Sequence, residues 1–214
     1  MNELSAKTEH LLERAAAGDA ASWGALLQRH QERLRRMVAL RLDSRLQGRV
    51  DAQDVLQEVF VQALAHRDDY LQRRPVPFYL WLRGIAGNVL LMLHRSHLGT
   101  EMRDVAREIC LGGGPMPEAS SFALAAQLVG HDTRPSEAAV RAERRQRLQE
   151  ALDRLAPLDR EVLALRHYEQ LTSAEMAQVL GITPAAAGKR YLRALEKLKD
   201  VLRDMPGGLE GLAP

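Results

Sequence analysis

The chain has 214 residues, 46% of them hydrophobic and 27% charged, with only 4% aromatic and a formal net charge of +2. That apolar content excludes a globally disordered chain, and the near-neutral charge means that any surface for nucleic acid must be local. Cys110 is the single cysteine, which excludes an internal disulfide or a Cys-rich zinc cluster.

Abundant Ala, Leu, Arg and Glu favour helices, so an all-α chain is expected. The opening run MNELSAKTEHLLERAAAG lacks the apolar core of a signal peptide. No stretch approaches the ~18 consecutive apolar residues of a membrane span, so a soluble, cytoplasmic protein is expected.

In chain order, a short opening helix breaks at Gly18-Asp19, and Asp19 is the N-cap of the next helix. That second helix places Trp23, Leu26, Leu27, His30, Leu34, Met37 and Val38 on one buried face. A third helix begins near Asp51, with Val55, Val59, Phe60, Ala63 and Leu64 inward. Opposite them run Asp51, Asp54, Glu58 and Gln62, an acidic stripe that by itself reads as a solvated face. After Pro75 and Pro77 comes a fourth helix with Phe78, Trp81, Leu82, Ile85, Val89 and Leu93 as its apolar stripe. Phe78, Trp81 and Ile85 are expected in the core.

From about residue 99 to 134 this order lapses, and Gly112-Gly113-Gly114-Pro115 stops any helix. The stretch reads as a linker that admits one short helix around 122–129. A second block starts after Pro135 with Ser136 as its N-cap and ends near Arg203. The expected organisation is therefore two small helical domains, 1–98 and 135–205, with a linker at 99–134 and a flexible tail at 206–214.

The most specific segment lies in the second block. Thr172-Ser173-Ala174-Glu175 has capping-box spacing, and Gly181 supplies the turn that ends the short helix. Thr183 caps the next helix, with Pro184 at its first position. A short helix, a Gly turn and a longer basic helix make a helix-turn-helix. Ala187, Tyr191, Ala194, Leu198 and Leu202 form its packing stripe; Ala185, Ala186, Lys189, Arg193 and Glu196 face the other way. Such a helix enters the major groove, where Lys189 or Arg193 suits guanine acceptors and the alanines permit close approach. Arg190 and Lys197, on the flanks, suit phosphates.

The same segment closely resembles region four of extracytoplasmic-function (ECF) sigma factors of the sigma-70 family. The resemblance is carried by Leu155, Pro157, Arg160-Glu161-Val162-Leu163, Leu165-Arg166, Leu171-Thr172, Glu175, Ala177, Leu180-Gly181-Ile182, Arg190, Arg193-Ala194 and Leu198. The family commonly has Val-Lys-Ser-Arg where this chain has Ala187-Gly188-Lys189-Arg190. The first block resembles region two of that family. DAQDVLQEVFVQAL is similar to its clamp-docking helix, and FYLWLRGIAGNVLLMLHR to the helix pair that holds the melted minus-10 element.

The resemblance implies that Thr183, Ala185, Ala186, Lys189, Arg190, Arg193 and Lys197 meet the minus-35 duplex. It implies that Asp51, Asp54, Gln57, Glu58 and Gln62 dock on core RNA polymerase, where an acidic stripe can steer a basic partner. Arg83, Asn88, His94, Arg95 and His97 are then the groups for the minus-10 strand, since Arg and Asn bond extruded bases or their phosphates. Arg103 and Arg107 extend that basic surface. The implied partners are core RNA polymerase, promoter DNA and, as a candidate, an anti-sigma factor.

Covalent chemistry has no support in the residues, and neither an enzyme nor a cofactor is expected. His94 and His97 form an H-x-x-H pair with no nearby cysteine to complete a zinc site, so no metal is expected. Gly112–Gly114 lacks the Lys and Ser/Thr of a phosphate-binding loop. Two other readings stay open from residues alone: a polymerase-independent helix-turn-helix regulator, and an adaptor without DNA affinity.

Overall fold

The computed structural model describes residues 3–43, 45–46, 49–98, 116–129, 138–206 and 208, excepting the side chains of 3–5, 97 and 98. All regular structure among them is helical. The chain divides into two compact units, Met1–Pro117 and Glu118–Pro214.

The first unit holds α1 (Glu3–Ala16), α2 (Ala20–Arg41), α3 (Ala52–Ala65), α4 (Arg67–Arg73) and α5 (Phe78–Leu98). Gly18, at φ +96°, turns the chain out of α1 in a conformation that only glycine adopts without strain. The Asp19 carboxylate then accepts from the Ala21 and Ser22 amides and caps α2, as expected. Arg14 and the Ser22 hydroxyl also bond it, and these contacts, the Ser22 bond foremost, hold its pKa low.

The core of this unit is aromatic. Both tryptophans take part: Trp23 lies edge-on to Phe78 and Trp81, and Tyr70 stacks on Trp81 with centroids 4.4 Å apart. Such pairs add to the free energy of burial itself. Phe78, Trp81 and Ile85 are all buried, as expected. Tyr70 belongs to α4, a short helix that the sequence did not announce, and its hydroxyl donates to the Val76 carbonyl at 3.0 Å. Arg67 and Arg74 donate to the Ala15 and Leu12 carbonyls, tying α4 to the end of α1. Cations there complement the negative end of the helix dipole.

One expectation for this unit needs correction. Leu64, expected inward, is 60% exposed, because the inner stripe of α3 runs through Val55, Leu56, Val59 and Ala63. The helix expected after Pro77 is present as one continuous helix, α5, where the family resemblance implies a helix pair; it is started by the Pro77 carbonyl accepting from the Trp81 amide.

The second unit holds α6 (Ser121–Leu128), α7 (Ala138–Asp153), α8 (Pro157–His167), α9 (Ser173–Leu180) and α10 (Pro184–Asp204). Here the sequence boundary moves. The short helix that the linker reading admits around 122–129 is α6, capped by Ser120, and it packs into this unit through Leu124 and Ala125, which are fully buried. The Tyr168 hydroxyl donates to the Leu124 carbonyl, and Arg160 bonds the Ser121 hydroxyl at 2.9 Å. These partners lie some 40 residues away, so local periodicity does not show that the helix packs here. Met205, the last residue of the expected domain, is buried, and within the expected tail the Gly208 carbonyl accepts from Arg147 at 2.8 Å. Cys110, Arg103, Arg107, the Gly112–Gly114 stop and the Ser136 cap lie outside the described residues.

Candidate nucleic-acid interface

Local chemistry specifies the α9–turn–α10 unit almost completely. The Glu175 amide donates to Thr172 Oγ1 at 3.2 Å and the Thr172 amide to Glu175 Oε2 at 2.8 Å, the reciprocal bonds of a capping box. Gly181 takes φ +65°, and the Ile182 amide bonds back to the Ala177 carbonyl at 3.0 Å. Thr183 Oγ1 accepts from the Ala186 amide, with Pro184 at the first helical position. Arg166 pins the approach to this turn by donating to the Leu171 carbonyl at 2.8 Å.

The faces of α10 divide as the sequence implies. Ala187, Ala194, Leu198 and Leu202 are buried, while Ala185, Ala186, Lys189, Arg193 and Glu196 are exposed and Arg190 is half-buried. No carboxylate precedes Glu196 on the helix, so a little more than its first half carries only cationic charge. Lys189 and Arg193 stand about one turn, ~6 Å, apart along the axis. Two details differ. Tyr191 is only partly buried, and its hydroxyl meets His167 Nε2 at 3.0 Å. That imidazole is held below its usual pKa by burial and then by Arg166.

Lys197 is the larger difference. Its ammonium is ion-paired with Asp159, a carboxylate 6% exposed in the first turn of α8. The pair fastens α10 to α8, so the cation expected to meet phosphate, though 57% exposed, already has a partner within the fold.

In the first unit, the outer face of α3 presents Asp51, Asp54, Gln57 and Glu58 to solvent, with Gln62 half-buried. Two of these also shape the helix: Asp51 accepts from the Gln53 and Asp54 amides at 2.7 and 2.8 Å, and Asp54 accepts from the Asp51 amide at 2.9 Å. Glu58 accepts from the Gln62 amide group at 2.9 Å, so this pair is preset. Val61 and Leu64, 63% and 60% exposed, stand among them and give the face an apolar centre that the sequence reading missed.

The candidates on α5 do not share one surface. Arg83 is 5% exposed and belongs to the interior, a correction to its expected contact with single-stranded DNA. Its position, two residues from Trp81 and Ile85 on a helix buried almost all round, explains this. Asn88, His94 and Arg95 are half-buried, and the His97 side chain lies outside those described. Beside His94 sits Asp43, whose carboxyl is pulled down to about 2 chiefly by hydrogen bonds from Arg45 at 2.7 and 3.0 Å. Burial lowers the pKa of His94; Asp43 opposes that shift and Arg45 adds to it. Among the described residues, no three His, Cys, Asp or Glu gather as a metal site, and no helix is long and apolar enough to cross a membrane.

Comparison with known proteins gives a consistent result. The family described as Sigma-70 region 2 matches residues 26–100, and Sigma-70, region 4 matches residues 145–198, together more than half the chain. The probable RNA polymerase sigma factor RfaY of Xanthomonas campestris is 28% identical over 93% of this chain; the chain spans 45% of that longer protein. The ECF RNA polymerase sigma factor SigD of Mycobacterium tuberculosis is 28% identical, covering 87% of this chain and 79% of its own. The RNA polymerase sigma factor CnrH of Cupriavidus metallidurans is 29% identical, covering 90% and 92%. A solved structure of CnrH in complex with the cytosolic domain of CnrY shares the fold, with TM-score 0.53 at 24% identity, covering 92% of this chain and 97% of that one.

Proposed function

The chain belongs to the extracytoplasmic-function branch of the sigma-70 family, and on that premise we propose that it binds core RNA polymerase and directs it to promoters. The work divides between the units. The outer face of α3 docks on polymerase through Glu58, Gln57 and Gln62, steered by the acidic caps Asp51 and Asp54 and seated by Val61 and Leu64. Asn88, His94 and Arg95, with His97, serve the opened minus-10 strand. The second unit lays α10 in the major groove upstream: Lys189 and Arg193 address guanine acceptors, Arg190 a phosphate, and Thr183, Ala185 and Ala186 the close approach of the helix start.

The single observation that carries this reading is the outward face of α10, cationic and free of carboxylates up to Glu196, on a helix fixed by two caps and a glycine turn. Strand opening follows from binding energy for unstacked bases, which offsets the few kcal/mol of each unpaired step. No nucleotide hydrolysis and no catalytic residue is required in this reading, in which the protein acts as a factor and not as an enzyme, in the cytoplasm with the polymerase it serves. CnrH is seen with the cytosolic domain of CnrY, and an anti-sigma partner of comparable kind is a candidate regulator here.

Two substitutions test the division. Arg193→Ala should reduce promoter-selective binding at least tenfold and leave core association unchanged. Glu58→Lys should do the reverse; Glu58 is preferred to Asp54 because Asp54 also caps α3. Equal loss of both functions in either variant contradicts the assignment.

A further inference from the structure

The outward face of α10 carries one large apolar side chain, and the fold does not account for it. Leu192 is 58% exposed, whereas the packing stripe of Ala187, Ala194, Leu198 and Leu202 lies on the other side of the helix. At 100° per residue, Ala185, Gly188 and Leu192 fall on one line, at i, i+3 and i+7. That line borders Lys189 and forms an uncharged edge along an otherwise basic face.

Gly188 is equally unexplained by packing. Its backbone is helical with negative φ, and a Cβ there would meet only Ser173 Oγ at 3.9 Å, an ordinary contact. Glycine weakens a helix interior, so the fold gains nothing from it. A glycine without a structural reason, on the flank of α10 between Ser173 and the outward face, fits a place where backbone approaches ligand closely. The apolar feature that the major groove offers is the thymine C5-methyl group.

We propose that the Ala185–Gly188–Leu192 edge of α10 reads thymine methyl groups, with Leu192 as the contacting side chain. The inference rests on the DNA-binding reading of α10 and adds a base preference to it: guanine for the Lys189 and Arg193 side, thymine for the Leu192 side. A protein partner seated on Leu192 would be indifferent to the methyl, which separates that alternative experimentally.

The test uses full-length chain assembled with core polymerase on a promoter it transcribes. Each thymine of the upstream element, on either strand, is replaced in turn by deoxyuridine, which lacks only the methyl. Wild type should lose about fourfold in affinity at one or more positions, the worth of one buried methyl. Leu192→Ala should bind the thymine and deoxyuridine forms alike there. A wild type indifferent at every position, an upstream element without thymine, or a Leu192→Ala protein that keeps the wild-type ratio overturns the proposal. Gly188→Gln supplies a second arm: it should melt no more than a few degrees from wild type yet bind the element at least tenfold more weakly, and unimpaired binding contradicts the close approach. Failure of wild type to transcribe any promoter would instead strike the underlying DNA-binding reading, so the two failures are distinct.

Discussion

The aromatic core of the first unit and the helix-turn-helix of the second are held together by different means. In the first, the decisive contacts join residues far apart in sequence: Trp23 with Phe78 and Trp81, Arg67 with the Ala15 carbonyl, Arg74 with the Leu12 carbonyl. In the second, the helix-turn-helix is written locally, by Thr172 with Glu175, by Gly181 and by Thr183 with Ala186. The difference bears on function. Surface groups of the first unit often serve the fold as well, as Asp51 and Asp54 do in capping α3. The caps leave the outward face of α10 with no structural duty until Lys197, so its side chains are available to a ligand.

The sharpest way to break this contrast is Trp81→Ala. Removing the ring that stacks on Tyr70 and meets Trp23 should cost about 3–5 kcal/mol, read as a lower urea midpoint of Trp23 fluorescence. A loss below about 1 kcal/mol would show that the aromatic cluster does not hold the first unit.

The next effect depends on pH. His30 lies between Phe78 and Tyr79, and burial, with help from Arg33 and Arg29, lowers its pKa from 6.5 to about 4. Folding therefore favours the neutral ring. This contribution is complete above pH 6.5 and is lost as pH falls towards 4, up to about 3 kcal/mol in all. Urea unfolding at pH 7 and pH 4.5 should show a shallower pH dependence in His30→Gln than in wild type; identical slopes would refute the assignment.

A smaller effect probes the one residue of α10 that breaks the contrast. Lys197→Ala strands the buried Asp159 and should destabilise the second unit by about 1–2 kcal/mol, less than a fully buried pair because Lys197 is half exposed. The salt dependence of DNA binding should not change. A slope reduced by about one unit would restore the phosphate contact to Lys197.

Smallest is Gly188→Ala, which should raise stability by about 0.5–1 kcal/mol, since nothing crowds the added methyl. Destabilisation would reveal a constraint on α10 that its surroundings do not show.

Legibility in the sequence follows the same division. The caps of α2, α9 and α10, the start of α3 near Asp51, the Gly181 turn and the buried and exposed faces of α10 were readable, because each depends on residues within four positions. Periodicity also placed Trp81 and Ile85 in the core. α4 was missed because seven residues carry too little periodicity; the short helix α6 was allowed for, but not its place in the second unit, because its anchors, Tyr168 and Arg160, lie some 40 residues away. On the candidate site, spacing identified which residues of α10 face outward, but not that Lys197 has a buried partner or that Arg83 is interior. Both depend on what a neighbouring helix brings close.

The most direct test of the whole account is transcription in vitro. Purified chain is added to core RNA polymerase on a library of genomic promoter fragments, and the start sites are sequenced. The account predicts starts at a small set of defined positions that share an upstream element, absent with core polymerase alone and lost with Arg193→Ala. Starts no more selective than those of bare core polymerase would contradict it.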